Sequence, residues 1–82
     1  MILTVEAGPV NTGLDGTVRP IIQNLGPGTL YFGPFQNNLL TEGLVLPAGK
    51  AYEFPATLVE GSDSLWLQAG TDSCDLRIIL VG

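Results

Sequence analysis

The chain has 82 residues, with three basic side chains, eight acidic ones and no histidine, giving a formal net charge of −5. Arg19, Lys50 and Arg77 are too few and too scattered to neutralise a run of phosphates, which argues against nucleic-acid binding. A single cysteine, Cys74, without histidine leaves neither an intramolecular disulfide nor an ordinary zinc site.

At 45% hydrophobic and only 13% charged, the chain is apolar for its size. A domain this small either packs tightly or continues its core into a partner. No run approaches the ~20 apolar residues of a membrane-spanning helix. Met1 to Val5 lacks the basic flank of a signal peptide. The expectation is no nucleic acid and no membrane among the partners.

Eleven glycines and six prolines are spread as punctuation, the spacing of short strands and turns. Residues 1–16 begin with a short apolar run and continue without alternation, and read as an extended N-terminal arm or loop. Residues 17–82 read as one β-domain, with apolar runs at 17–24, 29–33, 43–46, 51–54, 57–60, 64–69 and 74–81. None keeps a 3.6-residue period, and Gly or Pro interrupts each before a helix could form. The fold class is therefore all-β, a small antiparallel β-sandwich or barrel, jelly-roll-like, with the N-terminal arm attached. Pro20 makes its run an edge strand or a bent one. Residues 24–28 and 47–50 carry turn chemistry, residues 60–64 and 70–73 read as polar connections, and hairpins are the expected links.

Side chains alternate across a strand, so each run divides into two faces. The core face takes Leu44 with Leu46, Tyr52 with Phe54, Leu65 with Leu67 and Ala69, and Cys74 with Leu76, Ile78 and Leu80. In Leu30-Tyr31-Phe32 either parity works, and Tyr31 outward is favoured because its hydroxyl then reaches water. The opposite faces carry Tyr31, Val45, Trp66, Ile79 and Val81, mixed with Glu53, Gln68, Asp75 and Arg77. Loops or the arm could cover these apolar residues. Alternatively they form a charge-rimmed contact patch, and these five are the candidate interface residues. Trp66 stands out as an interface anchor, with a core position as its other reading.

No constellation for catalysis is evident, and the chain is expected not to be an enzyme. The lone lysine, Lys50, sits in a turn, and Cys74 starts a strand on the core face as a small buried hydrophobe. Asp72 and Asp75 have an ordinary surface spacing. Asp63, Asp72 and Asp75 offer the one metal hypothesis, calcium, without the spacing of an EF-hand. Gly26-Pro27-Gly28 leads into a strand, so it reads as a turn rather than a phosphate cradle. The expectation is no metal and no cofactor.

Ile22-Gln23-Asn24 is followed by Gly28-Thr29-Leu30-Tyr31-Phe32-Gly33, then by Gly43-Leu44-Val45-Leu46-Pro47-Ala48-Gly49-Lys50-Ala51-Tyr52-Glu53-Phe54. Leu65-Trp66-Leu67-Gln68-Ala69 and Asp75-Leu76-Arg77-Ile78-Ile79 complete the order. Over roughly residues 20–80 this resembles a group of short β-structured virion proteins of tailed bacteriophages. The resemblance implies a capsid decoration (cement) protein on the capsid surface of the virion. Such a protein clamps neighbouring copies of the major capsid protein, often as a homotrimer, and residues 1–16 match in character an arm that reaches onto the shell. It brings no catalytic residues, and it leaves a tail or head-completion role open. A carbohydrate- or cell-surface-binding module is a further alternative, which needs Trp66 and Tyr31 exposed beside Asp or Asn.

Overall fold

The computed structural model describes residues 2–13, 19–34, 36–55 and 65–81. In chain order these form β1 (Ile2–Val5), β2 (Val10–Asn11), β3 (Arg19–Pro27), β4 (Leu30–Gly33), α1 (Leu39–Glu42), β5 (Leu44–Leu46), β6 (Ala51–Glu53), β7 (Trp66–Ala69) and β8 (Cys74–Val81). The strands make two four-stranded sheets, β1-β8-β3-β6 (sheet A) and β2-β7-β4-β5 (sheet B). All the described pairings are antiparallel. Apart from β4 and β5, each consecutive pair of strands lies in different sheets. The arrangement is an all-β sandwich with the strand order of a jelly roll.

Alternation fixes which sides face inward. Along β8, Cys74, Leu76 and Ile78 are buried while Asp75, Arg77 and Ile79 are exposed. Along β3, Pro20, Ile22 and Asn24 point into the same interior. From sheet B, Leu30, Phe32, Leu46, Leu67 and Ala69 meet them, and Leu65 joins the core just before β7. Tyr52 and Phe54 pack against this core, and with Phe32 they form a cluster with ring centroids 5.0 to 5.9 Å apart. Tilted and edge-on ring pairs of this kind add about 0.5–1.5 kcal/mol each beyond their buried area.

Several expectations change. Within residues 2–13 the N-terminal segment is not an arm. β1 pairs with β8, β2 pairs with β7, and Val5 is fully buried, so the segment supplies a strand to each sheet. The links are mostly crossings between sheets rather than hairpins, because each sheet can bury its apolar side only against the other. Leu80 and Leu44, assigned to the core face, are exposed at the ends of their strands. The run expected at 57–60 lies outside the described residues, as do Asp63 and residues 14–16 of the expected arm.

Pro20 is buried in a central strand rather than an edge strand. The register carries it opposite Phe54, whose N–H donates to the Pro20 carbonyl at 3.1 Å. A proline cannot return the second bond of that pair. Instead Arg19 Nη1 donates to the Phe54 carbonyl at 3.1 Å, so the acceptor is satisfied from one residue away.

Asn24 is the buried polar residue that joins the sheets. Its Nδ2 donates to the carbonyls of Gly28 (3.0 Å) and Leu46 (2.9 Å), and its Oδ1 accepts from the N–H of Gly26 (2.9 Å). Its backbone N–H donates to Lys50 O and its carbonyl accepts from Gly49 N–H. One side chain thus holds the β3 bulge near Leu25, the entry to β4 and the end of β5. The cis Gly26–Pro27 peptide lies at the same place.

Candidate functional site

The two outer faces of the sandwich are finished differently. On sheet A, register places Ile2 opposite Arg77, Thr4 opposite Asp75, Ile21 opposite Ile79, and Arg19 opposite Val81. Ile2 is 83% exposed, Ile79 62% and Val81 37%. A shallow groove of about 280 Å³ runs among Ile2, Ile21, Gln23, Arg77 and Ile79. Thr4 Oγ1 donates to Asp75 Oδ1 at 3.0 Å, and Arg19 Nη1 pairs with Glu53 Oε1 at 2.8 Å. Arg77 makes no ion pair among the described residues. Arg19 and Arg77 balance Glu53 and Asp75, so the net charge of −5 is carried entirely by residues outside this set.

Sheet B turns Tyr31, Val45, Trp66 and Gln68 outward, but the chain folds back over them. Asn38, in the left-handed region at φ 64°, which Asn tolerates better than most residues, leads into α1. Its carbonyl accepts from Glu42 N–H at 2.8 Å. The helical turn packs on β4 and β7 and buries Leu39 completely, outside the main core. Tyr31, Trp66 and Gln68 are consequently half-buried, while Val45, on the edge strand, is 56% exposed. Gln68 Nε2 donates to Ala7 O at 2.6 Å, which ties the β1–β2 connection to the same sheet.

The five sequence candidates therefore do not form one patch. Ile79 and Val81 lie on the outer face of sheet A, and Tyr31, Val45 and Trp66 lie on the opposite side of the sandwich. Two residues of the sheet A face, Ile2 and Ile21, were not among the candidates. The alternation through Pro20-Ile21-Ile22-Gln23-Asn24 already places Ile21 outward. Ile2 carried no such signal, because a four-residue run at a chain start shows too little alternation to assign a face.

The chemistry-bearing residues are dispersed. Cys74 is buried between the sheets, and burial pushes its thiol pKa up. The carboxylates of Asp75 and Asp72 act in the same direction, against a hydrogen bond with Asn24. Lys50 is exposed in the β5–β6 turn. Asp75 is engaged by Thr4, Asp72 sits in the β7–β8 turn, and no group of three metal-binding side chains occurs among the described residues. No described helix is long and apolar enough to cross a membrane.

No protein-family model, curated protein or solved structure matches the chain.

Proposed function

We propose that the chain is a non-enzymatic assembly module that attaches to a protein shell through the outer face of sheet A. In the specific form implied by its resemblance, it is a capsid decoration protein of a tailed bacteriophage. Its partners are then the major capsid protein and further copies of itself, as trimers on the virion surface. The observation that carries this reading is the apolar strip of Ile2, Ile79 and Val81 with the partly exposed Ile21, over which no described segment folds, set among charges that cancel. Contact patches have this make-up, an apolar centre with a polar rim and arginine among the anchors. Arg77 gives the partner surface a further requirement, an acceptor such as a carboxylate set within an apolar patch. The remaining carboxylates keep free copies apart in solution. Jelly rolls recur in viral capsid proteins, which adds a fold-level analogy and no more.

The test is co-sedimentation with shells of the encoding phage assembled without this protein. The wild type is expected to pellet with the shells and Ile79→Asp to lose at least tenfold in apparent affinity. Equal binding by the two proteins, or no binding by the wild type, overturns the proposal.

A further inference from the structure

A second site lies on the other side of the sandwich, where the β3–β4 and β7–β8 turns meet α1. The turns are cross-tied by backbone hydrogen bonds, Gly28 N–H to Ser73 O at 2.9 Å and Gly70 N–H to Thr29 O at 3.1 Å. The approach is so close that a Cβ on Gly28 would stand 2.1 Å from the Asp72 carbonyl oxygen. The Tyr31 ring lies against the bare Cα of Gly70, where a Cβ would come within 3.3 Å of Cε1. Between these turns and Leu40 of α1, itself half exposed, opens a cleft of about 410 Å³. Tyr31, Leu40, Thr29, Thr71 and Asp72 line it. Among the described residues, the Asp72 carboxylate and the Thr29 and Thr71 hydroxyls have no hydrogen-bond partner.

The geometry points to a binding site for a neutral saccharide unit. A pyranose presents a face of aligned C–H groups, which suits the electron-rich face of an aromatic ring and the methyl groups of Leu40. Its rim of hydroxyls suits a carboxylate, which accepts two hydrogen bonds at once, and threonine hydroxyls, which both donate and accept. Among the described residues Asp72 is the only charged one lining the cleft, and the chain as a whole carries a net charge of −5, so sugars bearing phosphate or carboxylate are disfavoured. The volume falls in the range of small-ligand clefts. Because both turns are fixed by hydrogen bonds and close glycine packing, binding orders little new chain. The cleft shares no lining residue with the groove on the outer face of sheet A.

The test is an NMR titration of the full chain with the methyl glycosides of glucose, galactose, mannose and N-acetylglucosamine, with choline as a cationic comparison. At least one glycoside is expected to shift resonances of Thr29, Tyr31, Leu40, Thr71 and Asp72 together, saturating with a millimolar dissociation constant. Tyr31→Ala should weaken that binding at least tenfold and Asp72→Asn severalfold. Leu40→Gln, at an exposed position where folding is not at stake, should also weaken it severalfold. Ile79→Asp, on the opposite side, should leave it unchanged, so failure of the shell-docking reading and failure of this one are separable. Absence of shifts with all four glycosides overturns the proposal. Shifts with choline alone, or shifts insensitive to Leu40→Gln and Asp72→Asn, overturn it as well.

Discussion

Sheet B carries a cover from its own chain and, among the described residues, sheet A does not, although both are four-stranded, antiparallel and packed on the same core. Over sheet B the β4–β5 connection is long enough to turn back as α1 and bury Leu39, leaving Tyr31 and Trp66 half-hidden. Over sheet A no described segment returns, and Ile2 and Ile79 stay open to solvent among balanced charges. An apolar residue beneath a segment of its own chain contributes to folding. One left bare contributes little until something docks on it. The difference separates Leu39, which holds the fold, from Ile2 and Ile79, which are available for a protein partner, and substitution can probe each set.

The largest effect should come from the joint between the sheets. In Asn24→Ala the carbonyls of Gly28 and Leu46 and the N–H of Gly26 lose their buried partner. Each unsatisfied buried group costs about 1–3 kcal/mol, so a loss of about 3 kcal/mol or more is expected in urea denaturation. In a domain this small that is a large share of the total, and Tm should fall by more than about 12 °C. A loss below about 1 kcal/mol would mean that the two sheets hold their spacing without Asn24, and both faces would need another anchor.

Removing the cover should cost somewhat less. Leu39 is fully buried but belongs to a single helical turn that can settle after truncation. Leu39→Ala should therefore fall near the lower end of the range for such truncations, about 2 kcal/mol. Denaturant unfolding measures it directly. A loss near zero would show that α1 rests on sheet B without stabilising it, and the contrast between the faces would vanish.

The interior of this contrast was legible from sequence, and the cover was not. Alternation in residues 74–78 and 65–69 identifies the buried set because period-2 patterning has one physical cause, a sheet with one face inward. It also puts Tyr31, Val45, Trp66 and Ile79 outward, as observed. Pattern alone cannot say which sheet a strand joins, since that depends on connections that cross the sandwich, and so it does not separate outward residues that lie on opposite sides. The role of Leu39 was equally hidden, because one apolar side chain in a short turn has no periodicity to reveal it. Asn24 looked like a turn residue. Its side chain instead reaches carbonyls at positions 28 and 46, the second a long-range partner that local spacing does not encode.

The smallest stability effect belongs to the bare face, and it is the sharpest check of the contrast. Ile79 stands opposite Ile21 with most of its surface already in water, so Ile79→Thr gives up little buried area and keeps a β-branched side chain suited to a strand. The expected change is within about 0.5 kcal/mol in dilute solution, the usual range for surface substitutions. The same measurement repeated across protein concentrations asks what covers the face. If copies associate through sheet A, the wild type gains apparent stability with concentration and the variant does not, because binding that exists only in the folded state adds to its stability. A gap that widens with concentration would identify a second copy as the occupant. A gap that stays near zero at every concentration leaves the strip free in the isolated chain, as docking onto a larger shell requires.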